Sequence, residues 1–104
     1  MTNKINTEKL LELVIRSAQN VVSYTNTADP SKINKLTHLY GVHGVLDSLG
    51  LVQLIAEVED EIYESTGINI TIADERAMSL KFSPFRSVSS LADYILVLLK
   101  ERNE

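Results

Sequence analysis

The stretch Gly44-Val45-Leu46-Asp47-Ser48-Leu49-Gly50-Leu51-Val52-Gln53-Leu54-Ile55-Ala56-Glu57 marks a change from loop to helix. Gly41 and Gly44 punctuate the approach to it. Beyond Ser48, the apolar residues Leu51, Val52, Ile55, Val58 and Ile62 recur at helical spacing and line one face. Gln53, Glu57, Asp60, Glu61 and Glu64 fall mostly off that face. The pattern predicts a helix over 48–65 that ends at Thr66-Gly67, with Gly67 as a left-handed cap.

Upstream, Leu10, Leu11, Val14, Ile15, Ala18, Val21 and Val22 form one apolar stripe and predict a helix over 7–24. Asn6 or Thr7 caps it, and Glu8 complements the dipole in its first turn. Ala28-Asp29-Pro30-Ser31 breaks the pattern. The long connection over 25–47 carries Ile33, Leu36, Leu39, Tyr40, Val42, Val45 and Leu46 as scattered anchors. These predict a loop pinned across the core, with a short helical turn over 31–36.

Downstream, Ile68, Ile70 and Ile72 alternate with Asn69 and Thr71, but no second strand is visible to pair with them. They read as an extended, core-crossing segment. Thr71 with Asp74 resembles a capping box for a short third helix over 72–79. A loop over 81–87 follows, with Phe82 and Phe85 as anchors. Ser90 with Asp93 is a second capping-box candidate, for a last helix over 89–102 with Leu91, Ile95, Leu98 and Leu99 as its stripe. Lys100 and Arg102 sit in its last turn, where the dipole favours cations. The expected fold is all-α: a small four-helix bundle, three helices long and one short, with a long first loop. It fills one domain over 1–104, with flexible ends at 1–6 and 103–104.

Composition narrows the chemistry. Hydrophobic residues make up 44% of the chain and aromatics only 6%, so the expected core is aliphatic. There is no Cys, which excludes disulfides, thiolate zinc sites and a cysteine nucleophile and suits a cytoplasmic protein. Residues 1–9 are polar and lack the apolar region of a signal peptide. The longest apolar run, 95–99, is far short of a membrane span. Charge is segregated. Over 36–75 stand Asp47, Glu57, Glu59, Asp60, Glu61, Glu64, Asp74 and Glu75, while all 10 basic residues lie in the flanks. Such a one-sign field draws partners with basic patches and argues against a nucleic-acid surface.

Asp47-Ser48-Leu49 opens the acidic helix. A serine there is ordinarily a helix cap. The whole motif over 44–57, however, resembles the acyl carrier protein family, whose pattern is Asp-Ser-Leu followed by an amphipathic, acidic second helix. The resemblance extends weakly over 6–99 through helix order and loop placement, and Ser87-Val88 leading to Leu91, Ala92, Tyr94 and Ile95 looks like the family's entry into its final helix. It implies that Ser48 accepts 4'-phosphopantetheine from coenzyme A and that the chain itself is not an enzyme. Asp47 and Leu49 are then recognition residues for the phosphopantetheinyl transferase. A phosphodiester on Ser48 would lie at a helix N-terminus, which favours an anion.

The resemblance also implies docking on basic patches of acyl-loading and acyl-using enzymes through the second helix. Leu49, Gln53, Ala56, Glu59 and Asp60 are the expected contacts, with Glu57 and Glu61 in a second rank. Val52, Ile55, Val58, Ile62, Ile68, Ile70, Leu91 and Ile95 would part to shelter an acyl chain, or else form plain core. The chain departs from the family pattern in places. The glycine commonly three residues before the serine is Val45 here, and Gly44 precedes it. The Gly-x-Leu-Asp-Ser form, with Gly50 and Val52, looks closer to D-alanyl and other specialised carriers, and the second helix looks a turn longer than usual. These departures point to a dedicated pathway.

Other chemistries have less support. His38 and His43 lack a matched third ligand, so no metal is expected. No Gly-x-Ser-x-Gly elbow surrounds Ser48, against a hydrolase nucleophile. The rival functions are an aminoacyl carrier, D-alanyl or peptidyl, and an unmodified helical adaptor. A transient partner of this kind is expected to be a monomer.

Overall fold

A computed structural model of the chain describes residues 6–41, 43–73 and 84–102. Within them lie helices α1 (Thr7–Thr25), α2 (Ser48–Thr66) and α3 (Val88–Arg102), and a single 3-10 turn at Pro30–Lys32. The described residues form no strand, only isolated bridges at His38–Ser87 and Tyr40–Leu46. Helix α1 packs against both other helices and against the 3-10 turn. The Cα radius of gyration is 12.9 Å, that of a compact chain of this length. No described helix is long and apolar enough to cross a membrane.

Asn6 starts α1 from an extended backbone, its side chain accepting the Lys9 N–H at 2.8 Å. The buried residues are Leu10, Leu13, Val14, Ser17, Ala18, Val21 and Val22. Leu11 and Ile15, expected in the stripe, are only half-buried, because contact with two helices turns α1 toward Leu13 and Ser17. Each large aliphatic side chain buried here contributes about 1.5–3 kcal/mol. The helix ends at Asn26, in the left-handed region at φ 59°, whose N–H meets the Val22 carbonyl at 2.9 Å.

Helix α2 runs one residue past its expected end and stops at Gly67, with φ 74° and its N–H on the Tyr63 carbonyl at 2.8 Å. Leu54, Val58, Ile62 and Thr66 make its buried row, four residues apart. Val52 was expected on that face and is instead 62% exposed. Two positions before Leu54 at 3.6 residues per turn, it lies nearly across the helix from the buried row. Ile70 and Ile72 then cross the core buried and Ile68 half-buried, and Glu59 Oε2 accepts the Ile72 N–H at 2.8 Å. Thr71, Ile72 and Ala73 are not helical, and the rest of the short third helix expected over 72–79, with Asp74 of its capping box and Phe82, lies outside the described residues.

Helix α3 starts at Val88, one residue earlier than expected. Its capping box is Ser87 with Ser90, not Ser90 with Asp93. The Ser90 N–H donates to Ser87 Oγ at 3.1 Å, and the Ser87 N–H donates to Ser90 Oγ at 3.0 Å. Ser90 Oγ in turn donates to the Pro84 carbonyl at 2.8 Å, which locks the turn before the helix.

The first connection is pinned, with corrected anchors. Ile33, Leu39 and Leu46 are buried and Val45 is half-buried, but Leu36 is 72% exposed. Val42 is outside the described residues. The expected turn over 31–36 is the shorter Pro30–Lys32, begun by Asp29, whose Oδ1 accepts the Ser31 N–H at 3.0 Å and the Ser31 hydroxyl at 2.8 Å. Residues 37–40 lie between two neighbours. On one side, the Leu39 and Tyr40 amides donate to the Arg86 and Phe85 carbonyls, and the Val88 amide donates to the Thr37 carbonyl. On the other, the Val45 and Leu46 amides donate to the His38 and Leu39 carbonyls. This arrangement brings the N-termini of α2 and α3 to one end of the bundle.

Candidate functional site

Asp47 and Ser48 are both capping residue types, and the backbone decides between them. Asp47 is extended, at φ −87° and ψ −175°, and its Oδ1 accepts the Gly50 N–H at 2.8 Å. Asp47 is therefore the cap and Ser48 the first helical residue. That leaves the Ser48 hydroxyl free of the structural duty that a serine at a helix start usually has. Gly50 is buried beneath it, where an added Cβ would stand 3.2 Å from Leu46 Cδ2 and 3.3 Å from Asp47 Oδ1. Ser48 is exposed. It sits where first-turn amides lack intrahelical acceptors and the helix dipole is positive.

Among the described residues, one side chain reaches Ser48 from outside the helix. Tyr40 Oη lies 3.1 Å from Ser48 Oγ. The ring comes from the pinned connection, on the residue that bridges Leu46. Gly44 permits that crossing: a Cβ there would stand 2.5 Å from the Leu39 carbonyl oxygen and 2.7 Å from Tyr40 Cα. The sequence pattern marks Tyr40 as an apolar anchor of the connection, yet its side chain is 40% exposed. Its position between the Leu39 core contact and Gly41, at φ 121°, is the one local sign of an outward turn.

Along α2 the expected docking residues divide. Leu49 is 67% exposed, and Ala56 and Asp60 are exposed as well. Gln53, Glu57, Glu59 and Glu61 are half-buried. Gln53 Oε1 is buried with no hydrogen-bond partner among the described residues. Glu57 faces α1, accepting from Asn20 Nδ2 at 3.1 Å and from the Tyr24 hydroxyl at 3.4 Å. The Tyr24 phenol is consequently raised above its ordinary value, through partial desolvation first and then through the charge and hydrogen bond of Glu57. Glu59 is turned to the Ile72 amide. Val52 and Tyr63, absent from the expected set, are exposed and lie with Leu49 and Ala56 along one edge of the helix, at spacings of three, four and seven residues. Asp60 and Glu64 border that edge.

The residues considered for sheltering a chain are core here. Val58, Ile62, Ile70, Leu91 and Ile95 are buried and Ile55 and Ile68 pack beside them, while Val52 is outside. His38 and His43 stand edge to face with ring centroids 6.5 Å apart. Among the described residues no three His, Asp or Glu gather in a group able to hold a metal ion. No protein family matches the chain, and no curated protein and no solved structure is detectably similar to it.

Proposed function

We propose that the chain is an acyl carrier protein whose Ser48 receives a 4'-phosphopantetheine arm from coenzyme A. The observation that carries this reading is the division of labour at the start of α2: Asp47 caps the helix, and the exposed Ser48 hydroxyl is left for chemistry. The helix N-terminus stabilises the phosphodiester that results. The arm supplies the thiol that a Cys-free chain lacks, and holds acyl groups as thioesters.

Asp47 and Leu49 flank the serine for recognition by the transferase. Leu49, Ala56 and Asp60, joined by Val52, Tyr63 and Glu64, form the exposed surface offered to partner enzymes with basic patches. Its charged border raises encounter rates in a salt-dependent way, and the apolar edge supplies contact area. Glu57 and Glu59 hold the fold together and contribute to this surface only through their field. The departures around Gly44 and Gly50 favour a dedicated pathway, with D-alanyl and other aminoacyl cargo among the candidates.

The test is intact mass after incubation with coenzyme A, magnesium and a broad-specificity phosphopantetheinyl transferase. A gain of one phosphopantetheine, absent in Ser48→Ala, is expected. Folded protein that gains nothing from several transferases refutes the carrier reading and leaves an unmodified adaptor.

A further inference from the structure

We infer that Tyr40 is a positioning residue for Ser48: its phenol donates to Oγ, fixes the hydroxyl rotamer and turns the serine proton outward. The inference rests on the proposed modification of Ser48. Its geometric basis is the 3.1 Å contact between Tyr40 Oη and Ser48 Oγ, made across eight residues of chain.

Both partners stand on fixed supports. Ser48 is held by the Asp47 cap and by the Leu51 N–H to Asp47 carbonyl bond at 2.9 Å. Tyr40 is held by its own N–H on the Phe85 carbonyl at 3.1 Å and by the Leu46 N–H on the adjacent Leu39 carbonyl at 2.9 Å. Gly44 has no side chain to push the two segments apart. A tyrosine placed this way is not a surface side chain that happens to fall on a neighbour. It has a defined backbone beneath it, and only its ring and hydroxyl reach outward.

The chemistry sets the direction of the hydrogen bond. In transfer, Ser48 Oγ bonds to the coenzyme A phosphorus next to pantetheine. The bond from that phosphorus to the adenosine bisphosphate breaks, and that group leaves with its electron pair. The serine proton passes to a base on the transferase. If Ser48 donated to Tyr40, its proton would be held on the phenol oxygen and not offered to that base. With Tyr40 donating, one Oγ lone pair is engaged, the second is free to attack and the proton faces the enzyme. The same phenol steadies the charge that builds on Oγ as its proton leaves. In the product Oγ has no proton, so the phenol remains the only possible donor of the pair.

Tyr40→Phe keeps the ring and removes only the hydroxyl. Transfer to the intact chain is measured by mass over time, with carrier concentration varied. Because the contact is solvent-exposed, kcat is expected to fall about three- to tenfold, with KM for the carrier nearly unchanged. In the unmodified protein, the Tyr40 Cζ carbon resonance is expected to move on Ser48→Ala, a readout independent of transfer. Equal kcat for wild type and Tyr40→Phe overturns the inference, as does a rise in KM alone, which would make Tyr40 a docking contact. A Cζ resonance indifferent to Ser48→Ala overturns it too. Wild-type protein that gains no phosphopantetheine refutes the carrier reading and this inference with it, whereas modified wild type with an unaffected Tyr40→Phe refutes the inference alone.

Discussion

Gly44→Ala sets two effects of opposite sign against each other. Gly44 is not in the left-handed region, so its φ carries no penalty for alanine. Restricting the unfolded chain would then stabilise the protein by about 0.4–1 kcal/mol. Against this stands the space. The new Cβ would lie 2.5 Å from the Leu39 carbonyl oxygen, 2.7 Å from Tyr40 Cα and 2.8 Å from the Leu39 carbonyl carbon. All of these are backbone atoms, so no rotamer change relieves the clash. Overpacking of this kind costs about 1–3 kcal/mol. Moving 39–40 away from 44–46 also loosens the Val45 and Leu46 amide bonds to the His38 and Leu39 carbonyls, worth about 1 kcal/mol each. The clash wins, and the net expectation is a loss of about 2–3 kcal/mol.

Urea unfolding followed by far-ultraviolet circular dichroism reads that loss as a lower midpoint at unchanged slope. Gly67→Ala is the control. Nothing lies within 4 Å of its added Cβ, and only the φ of 74° is strained. That substitution costs about 1–2 kcal/mol from backbone strain, less the same entropic gain. Gly44→Ala is therefore expected to be the more destabilising of the two. A Gly44→Ala protein within about 0.5 kcal/mol of wild type, or less affected than Gly67→Ala, would refute the crossing geometry on which the placement of Tyr40 depends.

Two other substitutions separate roles that coincide in one residue. Asp47→Ala removes the cap and is expected to cost about 1 kcal/mol. Asp47→Asn keeps an amide oxygen for the Gly50 N–H and is expected to unfold like wild type, yet to be modified more slowly by the transferase. Equal modification of Asp47→Asn and wild type would leave Asp47 with only its structural role. At high pH, Tyr24 makes stability pH-dependent. Its phenol titrates above the ordinary 10.0 in the folded chain, because of partial desolvation and then Glu57. The contribution is therefore complete below pH 10.0 and is lost as pH rises through the folded value. Tyr24→Phe is expected to flatten that alkaline loss in urea unfolding, and parallel losses in the two proteins would refute the raised titration of Tyr24.

The helices were legible because their signals are local. Asn6 before Thr7, the three- and four-residue spacing from Leu10 to Val22, and Gly67 after Thr66 each act within a turn or two of chain. The rotation of α2 was not legible. Leu51, Val52, Leu54 and Ile55 are all apolar, so either side of the first turns can be read as the inner one until α1 and the Ile70–Ile72 segment are in place. Asn20 and Tyr24 on one side and the Ile72 amide on the other draw Glu57 and Glu59 inward, and both contacts bridge more than ten residues. At α3, Ser87, Ser89 and Ser90 compete for the cap, and the Pro84 carbonyl that settles the matter belongs to the preceding turn.

The least legible part is the one the site depends on. Residues 37–40 and 85–88 pair across nearly half the chain, and no propensity reports such a pairing. Yet its trace is in the sequence as Gly44 before Val45, where the proposed likeness to carriers would put the glycine at 45. The structure gives a glycine at 44 a steric cause. Val45 packs half-buried beside the core, while position 44 faces the backbone of Leu39 and Tyr40 with no room for a side chain. A glycine at 45 with a larger residue at 44 would keep the motif's usual spacing and force 39–40 away from α2. Tyr40 Oη could not then stay 3.1 Å from Ser48 Oγ. Gly44 and the tyrosine at the serine thus meet at one backbone crossing, and a side chain at 44 would move Tyr40 off Ser48 whatever residue stands at 45.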